Sequence, residues 1–306
     1  MRPCLTLFLA AGIVATGALA LGACGDDSGG QASPGGRLNV VATTVQVGAL
    51  AREAGGDRIN LRVLIGPGVD PHDYEATTSD LKTMRSAGVI LRNGIGLDAF
   101  LDKAIKGSES RAAVVTVTDG IALRTAAGGS EKDPHVWHNP QNAKIMLLNI
   151  TDALAKAEPA GASEYRQNAE AYAKVLDETD ATIATMIQSI PPENRKMVTD
   201  HDAFGYFIDH YGLTFVGTVI PGVSTQAEPS ARDLAALADT IKREKVKAIF
   251  AEGSMDPKVA QQIARDTGVK IVDDLYGDSL GEPGSEAATI HGMLLFNARR
   301  IAEALK

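Results

Sequence analysis

An Asp-Pro-His triplet occurs twice in this chain, at Asp70-Pro71-His72 and at Asp133-Pro134-His135. A third histidine, His201, stands between Asp200 and Asp202, and an acidic residue, Asp278, follows further on. Three neutral imidazoles and one carboxylate suit zinc in four-coordinate geometry. Manganese favours more oxygen, which the second oxygen of Asp278 would supply, so Mn2+ is the alternative to Zn2+ as the ligand. The proline in each triplet restrains the preceding aspartate to an extended form and stiffens the loop that presents the imidazole. The aspartate side chain can bond a loop N–H or the second ring nitrogen of a ligand histidine. His138 lies near His135 beside Trp137, in a segment that reads first as packing and only second as a metal contact. Glu252 follows a strand and is expected behind the ligands or between lobes. His210 and His291 fall inside helical patterns and read as ordinary surface or core histidines.

The elements that must carry these residues alternate between short β-branched runs and helical patterns, which implies parallel sheets with helices packed on them. In the first half, strands are expected at Leu38–Thr44, Asn60–Ile65, Val89–Arg92 and Ala113–Val117, with helices at Val47–Ala54, Ser79–Ala87 and Leu97–Ile105. In the second half, strands are expected at Lys196–Thr199, Phe215–Ile220, Ala248–Ala251 and Lys270–Asp273. Helices are expected there at Ala203–Tyr211, Ala231–Glu244, Pro257–Thr267 and Ser285–Leu305. Between the halves, Tyr165, Ala169, Tyr172, Leu176, Thr179, Ile183, Met186 and Ile190 recur every three or four residues. That is the stripe of an amphipathic helix, about 27 residues and ~40 Å long. The expected fold is therefore α/β in two lobes, each a roughly four-stranded parallel sheet with flanking helices, joined by one long rigid helix. His72, His135, His201 and Asp278 then all lie in loops beyond the C-terminal ends of strands, the edge where open α/β sheets bind ligands, two from each lobe.

Composition sets outer limits. The chain has 306 residues, 44% of them hydrophobic, enough for two lobes with real cores. Its net charge of −8 argues against a nucleic-acid partner. Arg2, the apolar run from Leu5 to Leu21 and the sequence Leu21-Gly22-Ala23-Cys24 read as an export signal that resembles a bacterial lipobox, with Cys24 as the acylated first mature residue. The organisation expected is 1–24 signal, 25–36 flexible tether, 37–160 first lobe, 161–192 linking helix and 193–306 second lobe. The only cysteines are Cys4 and Cys24, so the lobes hold neither a disulfide nor a thiolate ligand.

Catalysis is not expected. Four protein ligands close the shell of a zinc ion, whereas catalytic zinc keeps an open position. No H-E-x-x-H, G-x-S-x-G or Walker A pattern occurs. A zinc hydrolase with three histidine ligands and Asp278 as base is the lesser alternative.

Several segments together carry a family resemblance. They are Val69-Asp70-Pro71-His72-Asp73-Tyr74-Glu75, Asp133-Pro134-His135-Val136-Trp137, His201-Asp202-Ala203-Phe204-Gly205-Tyr206-Phe207, Glu228-Pro229-Ser230, Ile249-Phe250-Ala251-Glu252 and Leu275-Tyr276-Gly277-Asp278-Ser279. The chain resembles the lipid-anchored metal-binding proteins of bacterial zinc/manganese ABC importers, the ZnuA/TroA-like solute-binding proteins. The resemblance runs from about 38 to 306 and implies His72, His135, His201 and Asp278 as ligands. It further implies a monomer outside the cytoplasm, tethered to the membrane, that passes its ion to an ABC permease and its ATPase subunit. Some members are described as surface adhesins, which is a second implied role. Manganese-selective members commonly carry Glu at the His201 position, which points this chain to zinc. Many zinc-uptake members carry a His- and acid-rich loop that is absent here, since 123–132 holds no histidine and one acidic residue, Glu131, and that departure keeps manganese open.

Overall fold

The computed structural model describes Met1, 36–127 and 129–306. Cys24, the export signal after Met1 and the tether before Gly36 lie outside the described residues.

The first lobe runs β1 (Leu38–Ala42), α1 (Val45–Gly55), β2 (Ile59–Val63), α2 (Thr78–Arg85), β3 (Val89–Arg92), α3 (Phe100–Ser108) and β4 (Ala113–Thr116). Its strands pair in parallel in the order β2-β1-β3-β4. Two long helices follow, α4 (Pro140–Ala157) and α5 (Ala162–Gln188). The second lobe runs β5 (Lys196–Thr199), α6 (Gly205–Tyr211), β6 (Thr214–Thr218), α7 (Ala231–Glu244), β7 (Ala248–Glu252), α8 (Lys258–Thr267) and β8 (Lys270–Leu275), and α9 (Ile290–Leu305) closes the chain. Its strands also pair in parallel, in the order β6-β5-β7-β8. The α/β architecture of two parallel four-stranded sheets and a long connecting helix is the one expected from the sequence.

Alternation along the strands sorts the core. Val89 and Leu91 of β3 face one core with Phe250 of β7, while Ile90 faces a separate cluster with Met84 and Leu101. The central core is continuous from Leu38 at the start of β1 to Leu305 at the end of α9, and passes through α4 and α5. Helix α5 is buried along Tyr165, Ala169, Tyr172, Leu176, Thr179, Ile183 and Ile187, the stripe that the spacing of the sequence predicts except in the last turn, where Ile187 rather than Met186 is the buried residue.

The differences from expectation lie mostly at boundaries. β1 and β2 end two residues early, and α9 starts at Ile290 rather than 285 because Thr289 caps it by accepting from the Gly292 N–H. The sequence reading missed α4. Its signals were present: Asn139 accepts from the Gln141 N–H as N-cap, Pro140 occupies the first turn, and Ala143, Met146, Leu147, Ile150 and Leu154 are buried on one side.

Each sheet is laced at its switch point, where the connections leave in opposite directions. In the first lobe the Asp98 carboxylate accepts from Thr43 Oγ1 (2.9 Å) after β1 and from the Asn93 N–H (2.8 Å) after β3. In the second, Asp200 accepts from the His201 N–H (2.8 Å) and from the Glu252 N–H (2.7 Å), joining β5 to β7. Among the described residues no helix is long and apolar enough to cross a membrane.

Candidate metal centre

Four loops converge between the lobes. A single 3-10 turn at Pro71–Asp73 follows β2 and carries His72; its N-terminus is capped by Asp70, whose Oδ1 accepts from the His72 N–H at 2.8 Å. His135 precedes the next 3-10 turn, Val136–His138. Asn93 steadies that loop by donating from Nδ2 to Pro134 O at 3.2 Å. His201 lies two residues past β5, and Asp278 three residues past β8.

The four side chains meet at their tips. His72 Nε2 lies 3.3 Å from His135 Nε2 and 3.3 Å from Asp278 Oδ2. His135 Nε2 lies 3.1 Å from Asp278 Oδ1, and His201 Nε2 lies 3.2 Å from Asp278 Oδ2. Ligand atoms 2.0–2.1 Å from a tetrahedral ion stand about 3.3–3.4 Å apart, so these separations match one four-coordinate transition metal. Both Asp278 oxygens face the imidazoles, which admits a fifth donor. His135, His201 and Asp278 are buried, and His72 is nearly so. His201 Nε2 and both Asp278 oxygens have no hydrogen-bond partner among the described residues. Buried polar atoms in that condition are costly unless a cation satisfies them.

Carboxylates stand behind two of the rings. His135 Nδ1 donates to Asp133 Oδ1 at 2.7 Å, and the same oxygen accepts the His135 N–H at 2.9 Å. His201 Nδ1 lies 3.1 Å from Glu252 Oε1. The other Glu252 oxygen accepts the N–H groups of Gly277 (3.0 Å) and Asp278 (2.7 Å). Such partners turn Nε2 toward the metal and make it a better donor. Glu252 thus sits behind the site, while His138 does not join it. His138 Nε2 donates to Gly277 O at 3.1 Å, its ring packs on Phe204 with centroids 4.7 Å apart, and burial pushes its pKa down to about 3. His210 bonds Asp180 at 2.8 Å, and His291 meets Tyr172, both away from the centre.

Charge is balanced tightly. Burial would depress the His135 pKa, but the Asp278 charge and the bond to Asp133 outweigh it and hold it at about 9. His201 is likewise opposed by burial yet raised well above the ordinary value by Asp278 and Glu252. Burial opposes ionisation of Asp278, but the two imidazoles hold its pKa well below the usual carboxylate range. Burial, with Asp200 and Asp278 nearby, raises Glu252 to about 7. Without an ion, His135 and His201 hold on to protons that a metal must displace.

Sequence reasoning did not foresee the partners from distant loops. Trp137 Nε1 donates to Gly277 O at 3.0 Å, and Thr225 Oγ1 donates to Asp70 Oδ2 at 2.6 Å. It also did not single out Asp200 or Arg124, for which no local spacing is diagnostic.

Comparison with known proteins gives consistent matches. Residues 40–304 match the family model of ZnuA, the periplasmic component A of a zinc-uptake complex. The manganese-binding lipoprotein MntA of Bacillus subtilis is 35% identical over 295 residues, covering 94% of this chain and 95% of its own. The zinc-binding protein TroA of Treponema pallidum is 34% identical over 281 residues, covering 90% of this chain and 91% of its own. The solved structure of periplasmic zinc-binding TroA from Treponema pallidum superposes with a TM-score of 0.82 at 33% identity, covering 88% of this chain and 99% of that one. The Mn-bound periplasmic metal-binding protein of Candidatus Liberibacter asiaticus gives 0.80 at 27% identity, covering 88% and 100%.

Proposed function

The chain belongs to the ZnuA family of metal-binding components of ABC importers, and from that premise we propose that it captures one divalent transition metal, zinc in preference to manganese, and hands it to a membrane permease. The family consists of solute-binding proteins, and this one is not an enzyme. The observation that carries the reading is the meeting of His72, His135, His201 and Asp278 with ligand atoms within 4.8 Å of one another. These four are the proposed ligands. Three imidazole nitrogens favour zinc, which also outranks manganese in intrinsic affinity for such donors. The relatives include both a manganese-binding and a zinc-binding protein, so the donor set of this chain supports the choice.

Delivery follows from the family. The proposed partners are an ABC permease and its ATPase subunit, and Cys24 is the proposed lipid anchor on the outer side of the membrane. In this reading 1–24 is the signal with its lipobox, cleaved before Cys24 on export, 25–36 tethers, 37–160 and 193–306 are the lobes of a monomer, and 161–192 is the strut between them.

The test is elemental analysis of protein purified without added metal, paired with competition against a calibrated chelator at neutral pH. One ion per chain and a lower dissociation constant for zinc are expected. Tighter manganese binding overturns the metal preference, and no bound ion overturns the function.

A further inference from the structure

The chain between β4 and His135 folds back on itself. Thr125 bridges Lys132 in antiparallel sense, and the Asp133 N–H donates to Arg124 O at 3.2 Å. At the base of this turn-back, Arg124 meets carboxylates from both lobes. Its Nη1 donates to Asp133 Oδ2 at 2.6 Å and to Asp202 Oδ1 at 3.1 Å, and its Nε donates to Asp209 Oδ2 at 3.2 Å. Asp133 and Asp202 are buried, while Asp209 is exposed.

Both buried carboxylates are tied to ligands. The second oxygen of Asp133 holds Nδ1 of His135. Asp202 follows His201 in the chain, and its second oxygen accepts the Ala127 N–H at 2.9 Å. Tyr206 adds a neutral link, since its hydroxyl accepts from the Arg124 N–H and donates to Asp133 O, each at 3.1 Å. Room for the guanidinium depends on a glycine: a Cβ at Gly205 would stand 1.5 Å from Nη1.

We propose that Arg124 is a positioning residue for the metal site, holding His135 of the first lobe in register with His201 of the second, with or without an ion. The proposal rests on the reading of those histidines as ligands. A guanidinium offers several N–H groups in a fixed fork and can serve two carboxylates at once. Without it, Asp133 and Asp202 become buried like charges with no cation between them, and Asp133 is free to turn away from His135.

The experiment measures zinc dissociation constants by chelator competition, and dissociation rates by mixing with excess chelator. Arg124→Met is expected to weaken binding about 10- to 100-fold, the usual effect of losing a partner behind a ligand. Gly205→Ala keeps the charge but fills its seat, and the flexible Arg124 tip can move aside without unfolding the protein; it is expected to weaken binding in the same direction. Arg124→Lys should recover part of the loss. The double variant Arg124→Met/Asp133→Asn should lose less than the product of the two single losses, because both changes disturb the one carboxylate that backs His135. Parent-like affinity in Arg124→Met or, if that variant fails to fold, in Gly205→Ala overturns the proposal, as do multiplying losses in the double variant. Failure of the parent itself to bind metal would instead overturn the function proposed above.

Discussion

His72 is held differently from the other two histidines. Its backbone is capped by Asp70, but among the described residues no carboxylate backs its Nδ1, whereas Asp133 and Glu252 stand behind His135 and His201. The two Asp-Pro-His triplets are alike in sequence and unlike in use: Asp133 turns to its own imidazole, while Asp70 reaches Thr225 of the other lobe. Replacing His135 or His201 with Ala is therefore expected to weaken zinc binding more than His72→Ala does, as chelator competition would show. Glu252→Gln should also weaken binding, about 10- to 100-fold, because it removes the charge facing His201 Nδ1. The pH dependence has a definite sign. The His135 pKa is raised to about 9 in the ion-free site, so below that pH a proton occupies the nitrogen that a metal needs. His201, raised well above its ordinary value, behaves alike, whereas Asp278 stays ionised. Affinity is thus lost as pH falls from about 9 toward 6, by about tenfold per unit for each proton displaced, and isothermal titration across that window measures it. The four residues that converge were readable from sequence because a repeated Asp-Pro-His context and loops past strand ends single them out from the other histidines. Glu252 was expected behind them or between lobes, and a triplet aspartate on a ring nitrogen, but which histidine Glu252 meets was not readable, since that depends on how β5 and β7 pair.

At the scale of elements, the legible features were those with a clear period. α5 is unmistakable because one stripe of large apolar residues runs its whole length between polar neighbours. α4 was missed because apolar residues also occur on its outer side, as at the exposed Leu148, so it lacks a clean polar face. Strand ends were placed slightly long because β-branched residues continue into the loops that carry the site, as at Thr43 and Thr44. The two helices act as one unit. Glu158, at their junction, pairs with Arg58 from the first lobe and accepts from the Tyr165 hydroxyl. Leu176, wholly buried near the middle of α5, sits in the central core. Leu176→Ala should lower stability by about 2–5 kcal/mol in urea unfolding of the ion-free protein, with zinc affinity at 25 °C little changed. A large loss of affinity in a folded variant would mean that α5 transmits strain to the ligands.

At the scale of the molecule, the continuity of the core decides how the lobes move. Independent domains meet across modest polar interfaces and swing freely, but here β1, β7, α4, α5 and α9 share one apolar interior. Capture then proceeds by local movement of loops, not by a swing of lobes. Small-angle scattering curves of ion-free and ion-loaded protein should superpose, and a large compaction on adding zinc would refute this. Unfolding should be a single transition for both lobes, shifted upward by metal through mass action, by ~4 kcal/mol when free ion is a thousand times the dissociation constant.

The shared interior also imposes an order in time. Leu38 and Leu305 belong to the same core, so the first strand made is completed by the last helix made. The core of the first lobe is therefore complete only once α9 has packed against it. Biogenesis and architecture are thereby linked: shortening the chain at Thr289 would expose the interior of the first lobe as well as the second, and limited proteolysis would find cleavage sites in both.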